Sequence, residues 1–181
     1  MKRIIAILVL SLWIAAAAVA QPRAVGMRMG FTGMEASYQH YLGMPNFLEG
    51  DLGLSFAAGL GVKLSALYNY VFMQPDWTTQ GEWNIYAGAG ITTGYVYDIH
   101  NVLLTTGEIE LNYGHGFMFA IPIQAGLSYT FSFPLQLSVD IRPEFGIHSF
   151  VRPRAYDVTT VGFYRNGLWG FLPTFSAHYS F

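Results

Sequence analysis

The C-terminal stretch Phe171-Leu172-Pro173-Thr174-Phe175-Ser176-Ala177-His178-Tyr179-Ser180-Phe181 decides the fold. Read in steps of two, Phe171, Pro173, Phe175, Ala177, Tyr179 and Phe181 share one side. Leu172, Thr174, Ser176, His178 and Ser180 share the other. Successive side chains of a strand point to opposite faces, so this alternation is a strand with an aromatic face and a polar face.

The same period recurs toward the N-terminus. Leu135, Leu137, Val139, Ile141, Phe145 and Ile147 oppose Gln136, Ser138, Asp140, Arg142, Glu144 and His148. Phe117 to Phe131 and Val62 to Phe72 alternate in the same way, and weaker strands are expected over Ala24–Phe31, Met34–Leu42, Phe47–Phe56 and Trp83–Tyr97. That makes about eight strands of a length suited to a tilted membrane crossing. Turn residues separate them at Gly43-Met44-Pro45-Asn46, Gln74-Pro75-Asp76 and Ser132-Phe133-Pro134.

Composition says which face points outward. Charged residues are 11% of the chain and hydrophobic ones 52%, whereas an average soluble domain is about 25% charged. Past residue 20 no apolar run is long enough for a membrane helix. Membrane composition without membrane helices leaves a closed barrel as the spanning solution. Asp140, Arg142 and Glu144 share one face, and a charge facing lipid at midplane costs roughly 2–4 kcal/mol. The polar face therefore belongs in the lumen. The expected fold is all-β: a closed antiparallel up-and-down transmembrane barrel, both termini in the periplasm, with long outer loops over Asp98–Gly116 and Val151–Gly170 and short turns near Thr32-Gly33 and Ala58-Gly59.

The N-terminus has the parts of a secretory signal: Lys2 and Arg3, an apolar stretch from Ile4 to Ile14, and Ala18-Val19-Ala20 as the cleavage pattern. Residues 1–20 are expected to be a signal peptide and 21–181 one barrel domain. Cleavage removes two of nine basic residues, leaving seven against eleven acidic ones, a net charge of −4. That excludes the basic footprint of a nucleic-acid binder. The chain has no cysteine, which excludes disulfides, thiolate metal sites and lipid attachment at cysteine.

The final strand resembles the signal read by the outer-membrane insertion machinery, with Phe175, Tyr179 and Phe181 in its aromatic places. Glu35-Ala36-Ser37-Tyr38-Gln39-His40, Asn84-Ile85-Tyr86-Ala87-Gly88-Ala89-Gly90 and Phe133-Pro134-Leu135-Gln136-Leu137-Ser138-Val139-Asp140-Ile141-Arg142-Pro143 resemble the small outer-membrane β-barrel proteins of Gram-negative bacteria, with an OmpA/OmpX-like barrel domain. The resemblance implies an outer-membrane location, and as partners the membrane's lipids, the insertion machinery and periplasmic chaperones. It implies no particular activity.

An eight-stranded barrel is just wide enough for side chains to fill. The expected inward charges are Arg28, Glu35, Glu49, Asp51, Lys63, Asp140, Arg142 and Glu144, which read as a packed ionic plug rather than an acid/base or conducting site. Arg142 has Asp140 and Glu144 beside it on its own strand. His148-Ser149 near Glu144 fails as a catalytic group, because neighbouring strand residues point oppositely. His40, His100, His115, His148 and His178 show no metal-ligand spacing, and no metal or other cofactor is expected. Gly88, Gly90 and Gly94 lie within a strand, where they relieve crowding over Tyr86 rather than form a phosphate loop. Tyr68, Tyr70, Phe72, Trp77, Trp83, Tyr129 and Tyr179 read as interfacial girdles. The leading function is structural or surface-interacting, with the question of an enzymatic activity left open by the sequence; the alternative is a lipid-modifying enzyme or a transporter of hydrophobic molecules. For that alternative, Pro122, Pro143 and Pro173 mark missing ladder donors and a place for a lateral opening in the wall.

Overall fold

The computed structural model describes residues 22–103, 109–151 and 159–181. The signal segment expected over residues 1–20 lies outside them. The strands are β1 (Arg23–Gly30), β2 (Gly33–Gly43), β3 (Asn46–Ser55), β4 (Gly61–Met73), β5 (Glu82–Leu103), β6 (Ile109–Thr130), β7 (Leu135–Ile141), β8 (Glu144–Val151), β9 (Thr159–Phe163) and β10 (Thr174–Ser180). A 3-10 helix, Asn166–Phe171, precedes β10.

Each strand from β1 to β6 pairs antiparallel with the next, and β10 pairs with both β7 and β1. The ring is therefore a closed eight-stranded antiparallel barrel. Closure leaves no free edge around this ring, so its backbone groups are satisfied between strands. Both described ends of the chain lie at one end of the barrel, where the Phe181 amide donates to the Arg23 carbonyl. We call this the terminal end and the opposite one the far end.

The alternation places side chains as expected. Along β3 and β4 exposed and buried residues alternate nearly without fault. Met29, Leu52, Leu64, Ile121 and Phe175 stand exposed on the outer surface, while Gln39, Glu49, Asn69, Gln124 and Asp140 are buried inside. A soluble protein has the reverse arrangement. Trp77, Trp83, Tyr129, Phe131 and Phe133 stack in sequence around the terminal end, with ring centroids 4.7–5.4 Å apart.

The far end departs from the expected topology. The stretch Asp98–Gly116 is not a free loop: β5 and β6 stay paired from Glu82↔Thr130 to Leu103↔Ile109. Nor is Val151–Gly170 wholly loop. β9 pairs with β8, and the 3-10 helix follows. The wall is thus tall at β5–β6–β8–β9 and low at the β1–β2 and β3–β4 turns.

Candidate functional site: the lumen and its far-end seal

All eight charges expected in the lumen meet there. Arg28 on β1 binds Asp140 through Nη2 at 2.6 Å and Glu49 through Nη1 at 2.9 Å, with Glu35 3.4 Å from Nε. Lys63 Nζ lies 2.9 Å from Glu144 and 3.5 Å from Glu35. Arg142 binds Asp51 at 2.5 Å, Glu35 at 3.3 Å and Glu49. Three cations thus hold five carboxylates in one network. Tyr86 donates to Asp140 (3.2 Å), Gln39 donates to Glu49 (3.0 Å), and Gln124 accepts from Arg142 (3.0 Å). Buried charge is tolerated when it is paired, and each of these eight charges has an opposite charge within ion-pair distance elsewhere in the barrel wall.

The partners of Arg142 differ from the expected ones. Asp140 turns to Arg28, Glu144 turns to Lys63, and Arg142 reaches across to β2 and β3. Residues two apart on a strand project side by side rather than toward one another. In a narrow barrel the opposite wall is the nearer source of counter-charge. The space left among Arg28, Glu35, Lys63, Arg142 and Glu144 is about 20 Å³, room for about one water.

The sequence names no hydrogen-bonding role for Tyr86 or Gln124, although both fall on inward-facing positions. Tyr86 fits because Gly126 faces it: a Cβ there would lie 2.7 Å from the phenol ring. The expected role of Gly88, Gly90 and Gly94 beside Tyr86 passes to Gly126. Those three instead lie against β4, at Asn69, Ala66 and Val62.

The prolines do not gather into an opening. Pro122 lies opposite Glu144, and the β5–β6 register is the same on both sides of it. Pro143 separates β7 from β8, yet its carbonyl still accepts from Ile123 (3.0 Å), so β6 runs unbroken past the junction. Pro173 ends the irregular segment before β10. The wall between Phe163 and Thr174 is filled by the 3-10 helix, where Gly170 O accepts from Arg142 N at 2.7 Å and Gly146 O accepts from Tyr164 N at 2.9 Å. The helix lies so close to the wall that a Cβ at Gly167 or Gly170 would collide with the Glu144 or Arg142 carbonyl.

The start of this helix also crosses the far end to β5. Asp98 on β5 accepts from the Arg165 and Asn166 amides at 2.7 and 2.9 Å, and the Asn166 side chain donates to Tyr97 O at 2.9 Å. Val96, Met118, Ala120 and Tyr164 pack as an apolar layer, with His148, His100 and Asp98 buried beside it. Ser149 exchanges hydrogen bonds with the Phe117 backbone and points away from His148, so no Ser–His pair forms. At the terminal end the lumen is open. Tyr41, Phe47, Asn84, Ser128 and Gln136 line a vestibule of about 290 Å³.

No family model and no curated protein sequence matches the chain. The fold is similar to the crystal structure of the N-terminal β-barrel domain of Pseudomonas aeruginosa OprF, with a TM-score of 0.56 over 89% of this chain and 96% of that one, at 15% identity. The chain has the fold of a small OmpA-like eight-stranded barrel.

Proposed function

We propose that this protein is an integral outer-membrane barrel with a structural or surface-interaction role, and that its lumen does not serve as a pore. The ionic plug carries the reading. Arg28, Lys63 and Arg142 tie five strands together across the lumen, and such a network resists the passage of ions or solutes. The exposed belt of Met, Leu, Ile and Phe supports burial in lipid, since water-facing exteriors need about 25–35% charged residues. Outer-membrane lipids are the first partners. The insertion machinery and periplasmic chaperones would read Phe175, Tyr179 and Phe181, and no nucleic acid is bound. With the terminal end in the periplasm, the tall β5–β6 and β8–β9 hairpins face outside and present the contact surface. A lipid-handling enzyme needs an apolar chamber reachable from the outer leaflet. The charged lumen counts against that alternative.

The test is fractionation combined with gel mobility. The protein is expected in outer membranes and to migrate differently unheated than after boiling. Recovery in the soluble periplasm without a heat-dependent shift would end this reading.

A further inference from the structure

The far end contains three metal-ligand side chains that the ionic plug does not use. Asp98 and His100 come from β5 and His148 from β8, and one ligand atom of each lies within 4.8 Å of the others. All three are buried. We propose that they form a site for a divalent metal ion of the zinc class, clasping the β5–β6 hairpin to the β8–β9 hairpin.

The hydrogen bonding prepares the donors. His148 Nε2 lies 3.1 Å from Val96 O. A carbonyl only accepts, so Nε2 is the donor there and Nδ1 is the nitrogen aimed at His100 Nε2, 2.8 Å away. Metal-bound histidines are held this way, the second nitrogen donating to a carbonyl that fixes tautomer and orientation. Metal binding at both nitrogens displaces the proton between them, which passes to His100 Nδ1 or to solvent. His100 is held by stacking on Phe150, centroids 3.7 Å apart. Asp98 Oδ2 lies 3.8 Å from His100 Nε2. Its carboxylate is fixed by the Ile99, Arg165 and Asn166 amides, and each oxygen has more than one lone pair.

The spacing suits the ion. Bonds of about 2.0–2.1 Å in tetrahedral geometry place ligand atoms roughly 3.3–3.4 Å apart. The observed 2.8 and 3.8 Å straddle that value and the third pair lies within 4.8 Å, so a small opening of the imidazole pair, with Asp98 drawn toward His148, admits the metal. Two imidazoles and a carboxylate supply three ligands, leaving a fourth position for water. The ion would replace one histidine–histidine hydrogen bond by three bonds across two hairpins. It would stiffen the tallest part of the wall.

The test uses the full refolded protein in detergent micelles, freed of metal by chelator and titrated with zinc chloride in a calorimeter. One site per chain is expected. His148→Ala and His100→Ala should each weaken it at least about 100-fold, beyond the roughly 10–100-fold that losing an outer-shell partner costs. His115→Ala, an exposed histidine, should leave it unchanged. Zinc-edge absorption spectroscopy on the wild-type protein keeps the proposal testable if a variant fails to fold. Two imidazoles in the first shell are expected. No saturable binding, equal binding in all three variants, or a shell without paired imidazoles would overturn it.

Discussion

Replacing Arg142 by methionine keeps most of the side-chain volume and removes the cation that binds Glu35, Glu49 and Asp51. Among the described residues, Arg142 is the sole cation within ion-pair distance of Asp51. Glu49 retains Arg28 and Gln39, and Glu35 retains Arg28 and Lys63. The main loss therefore falls on Asp51, left buried without its direct ion-pair partner, with Gln124 losing a donor as well. Breaking a buried pair by removing one partner costs about 3–5 kcal/mol. With a urea slope of about 2 kcal/mol per molar, the unfolding midpoint should fall by about 1.5–2.5 M. The assay is urea unfolding of the refolded barrel in lipid, followed by tryptophan fluorescence. Arg165→Ala is the control: that side chain is exposed and only its amide is used, so its effect should stay within about 0.5 kcal/mol. Adding Asp51→Asn to the Arg142→Met variant should recover part of the loss, because the pair is coupled. Equal small effects from Arg142→Met and Arg165→Ala, with no coupling to Asp51, would refute the plug.

Gly170→Val should force the 3-10 helix off the Arg142 carbonyl, costing about 1–3 kcal/mol as overpacking does; faster trypsin cleavage after Arg165 checks it. Phe181 is exposed, so Phe181→Ala should slow assembly by the insertion machinery in proteoliposomes while leaving the urea midpoint of refolded protein nearly unchanged.

The barrel wall and the lumen charges are legible in the sequence for the same reason. Period two sorts each strand into two faces, and the cost of a charge in lipid assigns Asp140, Arg142 and Glu144 to the inside. Which charge meets which is not legible from spacing. Arg142 pairs with Glu35, Glu49 and Asp51, residues 107, 93 and 91 positions away, because tilt and register set what lies opposite in the ring. His100 and His148 are hidden in the same way. They lie on β5 and β8 with no ligand spacing along the chain, yet hydrogen-bond to each other once β6 brings those strands near. The stretch Asn166–Phe171 carries two glycines and reads as loop. Its helical turn follows from the caps that Asp98 supplies from β5 and the close approach that Gly167 and Gly170 allow.

The ring of eight strands is common to pores and to plugged barrels. The network of Arg28, Lys63 and Arg142 separates the two cases here. Conductance across a planar lipid bilayer tests this most directly. The purified, refolded protein, shown by its gel shift to be folded, should insert without producing stable current steps at either polarity. Steady single-channel steps from the wild-type barrel would contradict the account.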